Sequence, residues 1–77
     1  MALPDLSEEE RALLRALTAT PIQARTIARK LNFAQSTLFR CLVALEDAGL
    51  IRVQTDDDPL RRHIMLTQAG SAFKADL

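Results

Sequence analysis

Two helical segments separated by only about three residues constrain this chain more than any other feature of its sequence. The first ends at Asn32, a residue that tolerates the left-handed conformation common at helix ends. The second begins near Gln35 and ends before Gly49. So short a connection predicts a helix-turn-helix unit with helices over about 21–31 and 35–48. In the helix over 21–31 the expected buried side chains are Ala24, Ile27, Ala28 and Leu31, and in the helix over 35–48 they are Leu38, Cys41, Leu42 and Leu45.

The segments around this unit carry start and stop signals of their own. Thr20 is the predicted N-cap of the helix over 21–31, with Pro21 at its first position. Ser7 and Glu10 have the spacing of a capping box, which predicts a first helix over about 7–17. Period-2 alternation and turn residues predict the remaining elements: strands over about 51–55 and 61–66, a turn at 56–60, and a helix over about 68–76 capped by Thr67.

This order of elements predicts a mainly α fold with a small β-hairpin wing, a three-helix winged helix-turn-helix followed by a short C-terminal helix. The chain has 77 residues, so we expect a single domain over 1–77. Its one cysteine excludes an internal disulfide and suits a reducing compartment, which favours a cytoplasmic location. The apolar runs are too short for a membrane helix, and residues 1–5 lack the pattern of a signal peptide.

The net charge is zero, which argues against nucleic acid only if the charges are evenly spread. They are not, because residues 11–45 contain six basic residues and no acidic one. Residues 46–58 contain five acidic residues against Arg52. One interpretation is a basic face that meets phosphates, with Arg25 and Arg29 among its members. The other is that the arginines are dispersed around the helices for solubility.

Three stretches resemble the DNA-binding domains of MarR-like regulators and cover most of the chain. Residues 31–40 (LNFAQSTLFR), 45–51 (LEDAGLI) and 61–70 (RRHIMLTQAG) look like the recognition helix, its closing turn, and the wing return of that family. Residues 31–40 are also similar to the N-terminal domains of IclR-type regulators. The resemblance implies double-stranded DNA binding and transcription regulation. MarR-like chains are longer and have a longer wing, so their sensing of phenolic ligands does not carry over.

The resemblance and the helix positions together suggest which residues contact DNA. Gln35, Ser36 and Thr37 occupy the first turn of the recognition helix, where this motif meets base edges. Gln can pair with adenine, and Arg40 with guanine or a phosphate. Arg61 and Arg62 of the wing are candidates for the minor groove or the backbone, although Arg62 has the alternative of pairing with an aspartate across the hairpin.

Phe39 and Val43 place an apolar pair on the face of the recognition helix that should be polar. Three explanations stay open: contact with thymine methyl groups, packing against the wing or a neighbouring helix, or a protein partner. Glu46 and Asp47 at the far end of the same helix would repel phosphate, so DNA contact is expected in its first half.

Other kinds of site lack support in the sequence. Cys41 and His63 are the only soft metal ligands and lie 22 positions apart, so we expect no metal, no cofactor and no enzymatic activity. The predicted function is sequence-specific DNA binding by a small transcriptional regulator, as a homodimer on paired half-sites. The alternative is a protein-interaction winged helix that uses Phe39 and Val43. A module cut from a longer chain is a third possibility.

Overall fold

The computed structural model describes residues 6–58 and 61–77 and has the predicted mainly α architecture with a β wing. The described part contains four helices and one three-stranded antiparallel sheet, whose strand order is β1-β3-β2. The expectations about residues 1–5 and about Pro59 and Leu60 in the wing turn lie outside the described residues. In chain order the elements are α1 (Glu8–Ala16), β1 (Ile22–Gln23), α2 (Ala24–Leu31), α3 (Gln35–Asp47), β2 (Ile51–Val53), β3 (His63–Leu66) and α4 (Gln68–Ala75).

The start of α1 confirms the predicted capping box. The Ser7 hydroxyl oxygen accepts a hydrogen bond from the Glu10 backbone N–H at 3.2 Å, and the Glu10 carboxylate accepts from the Ser7 backbone N–H at 3.3 Å. The helix ends one residue earlier than predicted, and Leu17 is its C-cap. Lys74 of α4 donates to the Leu17 carbonyl at 2.7 Å. This bond places a positive charge at the negative end of the α1 dipole and ties the last helix to the first.

The predicted start of α2 is wrong. The helix begins at Ala24, and its N-cap is Gln23, which makes no side-chain capping bond. Ile22 and Gln23 instead pair with Ile64 and His63 as the short strand β1. The backbone groups of Ile22 and Gln23 find their hydrogen-bond partners in β3 instead of in a first helical turn. This tertiary contact therefore overrides the local capping signal. The predicted two-stranded hairpin is therefore one part of a three-stranded sheet.

Helices α2 and α3 end in the same way. Asn32 has φ 57° and ψ 42°, and the Phe33 N–H donates to the Ala28 carbonyl at 2.9 Å. Gly49 has φ 77°, and the Leu50 N–H donates to the Leu45 carbonyl at 3.0 Å. Both are Schellman-type ends, in which a left-handed residue lets the next N–H reach back to an otherwise unpaired carbonyl. Both predicted stops are confirmed.

The wing strands are shorter than predicted. β2 ends at Val53 rather than residue 55, and β3 begins at His63 rather than residue 61. The register pairs Ile51 with Leu66 and Val53 with Ile64. The Arg61 N–H donates to the Asp58 carbonyl at 2.9 Å instead of extending β3. Beyond β2, the Gln54 N–H still donates to the His63 carbonyl at 2.8 Å, and the Asp58 N–H donates to the Asp56 carboxylate at 2.9 Å.

The hydrophobic core lies between α1, α2, α3 and the sheet, around the predicted leucines. Cys41 is 2% exposed, which confirms it as a small core residue, while Ala28 and Leu31 of α2 are only partly buried. No polar or charged side chain is buried in the described part of the chain. The buried residues are Leu13, Leu14, Leu17, Ala24, Ile27, Leu38, Cys41, Leu42, Leu45, Leu50, Ile51, Ile64 and Leu66.

Helix α4 lies against the junction between α3 and β2. The Thr67 hydroxyl accepts from the Gly70 N–H at 3.0 Å, which confirms it as the cap, and donates to the Gly49 carbonyl at 2.6 Å. A Cβ at Gly70 would overlap the backbone carbonyl of Leu50. Only glycine therefore permits this close approach of two backbones.

Candidate nucleic-acid interface

The first turn of α3 is open to solvent and has no acidic residue. Its N-cap, Ala34, cannot form a side-chain capping bond, whereas α1 and α4 are capped by the hydroxyls of Ser7 and Thr67. Gln35 and Ser36 are exposed and Thr37 is half-buried. The first backbone N–H groups of a helix have no partner within it, and they lie at the positive end of its dipole. The start of α3 is therefore suited to an anionic ligand.

The basic residues of α2 and α3 keep their charge uncompensated. Arg25, Arg29 and Arg40 are exposed, and none of the three forms an ion pair or a side-chain hydrogen bond within residues 6–58 and 61–77. Neither helix has an acidic residue before Glu46. This arrangement favours a basic surface over an internally neutralised one.

Arg61 and Arg62, the two arginines before β3, differ in their surroundings. Arg61 lies 3.9 Å from the Asp58 carboxylate, with 65% and 52% of the two side chains exposed, so this pair contributes little to stability. Arg62 is half-buried, and its Nε lies 3.5 Å from the Asp56 backbone carbonyl. The suggested pairing of Arg62 with an aspartate side chain is thus replaced by a long contact with the backbone. Arg61 is the wing arginine whose head group is open to solvent.

The apolar pair on α3 separates into two different environments. Phe39 is half-buried and packs against the core, which supports the packing explanation for this residue. Val43 is 61% exposed. Both side chains line a cleft of about 80 Å³ between α3 and the wing, where Arg62 and Val53 form part of the opposite wall. The fold therefore accounts for Phe39 and leaves Val43 in solvent.

The comparisons with known proteins agree with this geometry. The family model of the DprA winged helix domain matches residues 1–63. The chain belongs to this family. No curated protein matches the chain. The resemblance to MarR-like regulators is confirmed at the level of the fold, because a MarR-family structure is among the solved structures that match the chain.

Three of these structures show the extent of the likeness. A MarR-family transcriptional regulator from Rhodococcus sp. RHA1 has a TM-score of 0.80 at 20% identity, covering 92% of this chain and 52% of its own. MepR from S. aureus in complex with DNA has a TM-score of 0.78 at 26% identity, and the match covers 94% of this chain and 61% of MepR. A probable transcriptional regulator from Pseudomonas aeruginosa has a TM-score of 0.79 at 27% identity, and the match covers 92% of this chain and 55% of the regulator. This winged helix domain therefore spans little more than half of each structure.

The far end of α3 in this winged helix domain is acidic but partly engaged. The Glu46 carboxylate accepts from the Val53 N–H at 3.3 Å, which links the end of the helix to β2. Asp47 is exposed. Because Glu46 has this structural partner, its charge lies against the wing rather than along the outward face. Any anion that binds α3 is expected at the opposite end of the helix.

Sequence reasoning missed two surface features of the domain. The absence of a hydroxyl or carboxylate cap at Ala34 is visible in the sequence and signals an open helix start. The second feature is a groove between α1 and Phe33, and no sequence signal indicates it. Its lining residues are Glu8, Glu9, Arg11, Ala12, Arg15 and Phe33.

Other chemistry finds little support in the described residues. Among residues 6–58 and 61–77, no group of three or more His, Cys, Asp or Glu side chains could hold a metal ion. Burial raises the pKa of the Cys41 thiol, and the nearby Glu10 carboxylate adds to the effect. A buried thiol with a raised pKa is a poor nucleophile. Within the same residues, no helix is long and apolar enough to span a bilayer.

Proposed function

We propose that this winged helix domain binds double-stranded DNA, with α3 in the major groove. One observation carries the proposal: Arg25, Arg29 and Arg40 are exposed and unpaired within the described residues, on the two helices whose N-termini have no side-chain cap. Unpaired cations and open helix starts are the groups that proteins use to hold the DNA backbone. The MepR structure, which is 26% identical, is a complex with DNA and supports DNA binding by this domain.

Each candidate residue has a role that follows from its position. Gln35, Ser36 and Thr37 begin α3 and are proposed to contact base edges, with Gln35 suited to adenine. Arg40, one turn further along, contacts guanine or a phosphate.

The remaining arginines hold the backbone. Arg25 and Arg29 on α2 are proposed to neutralise phosphates, since the first helix of such a unit crosses the backbone. Arg61 is proposed to enter the minor groove, and the 65% exposure of its side chain supports this role. Arg62 is half-buried and lines the cleft beside α3, so it is proposed to contact a phosphate of the DNA backbone near that helix.

The biological setting is part of the same proposal. The similar solved structures include several described as transcriptional regulators. We infer that the domain serves a cytoplasmic transcriptional regulator rather than an enzyme, and that it works as a homodimer. Two copies on paired half-sites would supply specificity that one small module rarely achieves.

The test is a fluorescence anisotropy titration with a mixed pool of labelled duplexes at two salt concentrations. We expect binding at about 50 mM salt that weakens steeply by about 200 mM, because each neutralised phosphate releases counterions. Arg40→Ala should weaken binding and, if Arg40 meets a phosphate, reduce the salt slope by about one. Absence of binding at the lower salt would refute the proposal.

Arg52→Ala is the matched control. Arg52 is exposed on β2, and neighbouring residues in a strand point to opposite faces of the sheet. Val53 faces the cleft beside α3, so the Arg52 side chain points away from it. The control removes the same charge from a different surface. Equal loss of affinity in Arg52→Ala and Arg40→Ala would indicate non-specific attraction instead of a contact made by α3.

Exposed Val43 favours a second candidate, a protein-interaction domain that docks through this residue and Phe39. The same titration distinguishes the two. The interaction domain predicts that no duplex binds at low salt and that a partner is lost on Val43→Asp. A DNA-binding domain instead predicts that duplexes bind at low salt.

A further inference from the structure

Val43 is the one large apolar side chain of α3 that the fold leaves in solvent, at 61% exposure. It follows Ser36 by seven residues and Arg40 by three. At roughly 100° per residue, Val43 lies about 20° from Ser36 and about 60° from Arg40 around the helix. The three side chains therefore share the outward face of α3.

Folding does not account for a valine at this position. Its neighbours on the same helix, Leu42 and Phe39, supply the packing against the core, with Leu42 6% exposed and Phe39 half-buried. A β-branched residue on an exposed helix surface is also less favourable for the helix than alanine or a straight side chain. The exposed isopropyl group thus lowers helix preference, and most of its surface stays available for contact with a ligand.

The charges around Val43 indicate which ligand fits. Arg40 lies one turn before it with no acidic partner in the described residues, and the helix start beyond Arg40 is open to anions. Glu46 and Asp47 follow Val43 by three and four residues, so the anionic part of a ligand on this face lies on the Arg40 side of Val43. Such a ligand must also present an apolar group at the position of Val43. In the major groove of DNA, the C5 methyl of thymine is the apolar group that base edges present.

We propose that Val43 is a specificity-determining residue that contacts the C5 methyl group of a thymine in the major groove. This inference rests on the proposed DNA binding. It assigns Phe39 a supporting part, since this half-buried residue lines the cleft between α3 and the wing together with Val43. The domain would then prefer a thymine at one position of each half-site, downstream of the bases contacted by the first turn.

The experiment replaces single thymines with uracil in a preferred duplex selected from a random pool. Uracil keeps every hydrogen-bonding group of thymine and lacks only the methyl. We expect the unmodified domain to lose about fourfold in affinity at one position, the factor that corresponds to about 0.8 kcal/mol for one buried methyl-sized group. Val43→Ala should bind the thymine and uracil duplexes equally at that position.

Arg40→Ala provides the matched comparison, because it removes an adjacent side chain on the same face without touching the apolar contact. We expect Arg40→Ala to weaken both duplexes and to keep the thymine-to-uracil ratio. Thermal melting by circular dichroism checks that Val43→Ala stays folded, which its 61% exposure predicts.

The outcomes separate this inference from the function on which it rests. If no duplex binds at low salt, the DNA-binding proposal itself fails. If duplexes bind but no thymine position is sensitive to uracil, or if Val43→Ala keeps that sensitivity, the role of Val43 is refuted.

Discussion

Replacing Gly70 with alanine tests how the last helix is held against the rest of the fold. A Cβ at this position would lie 2.8 Å from the carbonyl carbon of Leu50 and 3.3 Å from its Cα, and closer still to the carbonyl oxygen. The obstacle is backbone, so no side-chain rotation relieves it. Helix α4 must move outward, which strains the Thr67 N–H to Leu50 carbonyl bond at 3.1 Å and the Thr67 hydroxyl to Gly49 carbonyl bond at 2.6 Å.

The expected change in the free energy of unfolding is the sum of opposing contributions. Overpacking costs about 1–3 kcal/mol, and against a rigid backbone we expect the upper end of that range. Each strained hydrogen bond adds up to about 1 kcal/mol, while alanine regains about 1 kcal/mol of helix preference over glycine. We therefore expect Gly70→Ala to lower the free energy of unfolding by about 3 kcal/mol. In a domain of this size that corresponds to a fall in Tm of roughly 12–24 °C.

The assay is urea unfolding and thermal melting followed by circular dichroism, with Gly49→Ala as the control. Gly49 has φ 77°, and a Cβ there would meet no described atom within 4 Å, so the substitution costs about 1 kcal/mol through backbone conformation alone. If Gly70→Ala proves no more destabilising than Gly49→Ala, α4 does not pack as described.

Three further predictions concern single contacts. Ser7→Ala should lower the free energy of unfolding by about 1 kcal/mol in urea titrations, since it removes the α1 capping box, and an unchanged midpoint would contradict the cap. Lys74→Met should cost about 1–2 kcal/mol because the Leu17 carbonyl loses its charged donor. Lys30→Met should show no such loss, because Lys30 is an exposed residue of α2. The Cys41 thiol should react slowly with a thiol reagent at neutral pH and rapidly once unfolded. Because its pKa is raised in the folded state, stability should be retained below the unfolded pKa of about 8.5 and fall as the pH rises above it, a slope that Cys41→Ala should lack.

Local signals predicted the helix ends because those signals act within a few residues. Ser7 and Glu10 satisfy each other's backbone groups, and Asn32 and Gly49 adopt the left-handed conformation that ends α2 and α3. None of these effects depends on the rest of the chain. The leucine spacing likewise placed Leu38 and Leu45 in the core, since a helix has one face to bury.

Two missed features of the fold depend on residues that are distant in sequence. Thr20 and Pro21 form a plausible helix start, and only pairing with β3, some 40 residues away, converts the next two residues into β1. Lys74 reaches the Leu17 carbonyl across 57 positions.

In the candidate site, helical angles placed Phe39 and Val43 on one outward face. Their different burial depends on where the wing packs, which the local sequence does not specify. The positions of the site residues were thus predictable, while their surroundings were not.

The central claim is that α3 carries the DNA interface, and NMR shift mapping tests it most directly. Uniformly ¹⁵N-labelled domain is titrated with a duplex at low salt, and amide shifts are compared along the chain. The account predicts the largest shifts at residues 35–43, smaller ones at Arg25 and Arg61, and almost none in α4. Shifts confined to the groove of α1 and Phe33, or no shifts at all, would contradict it.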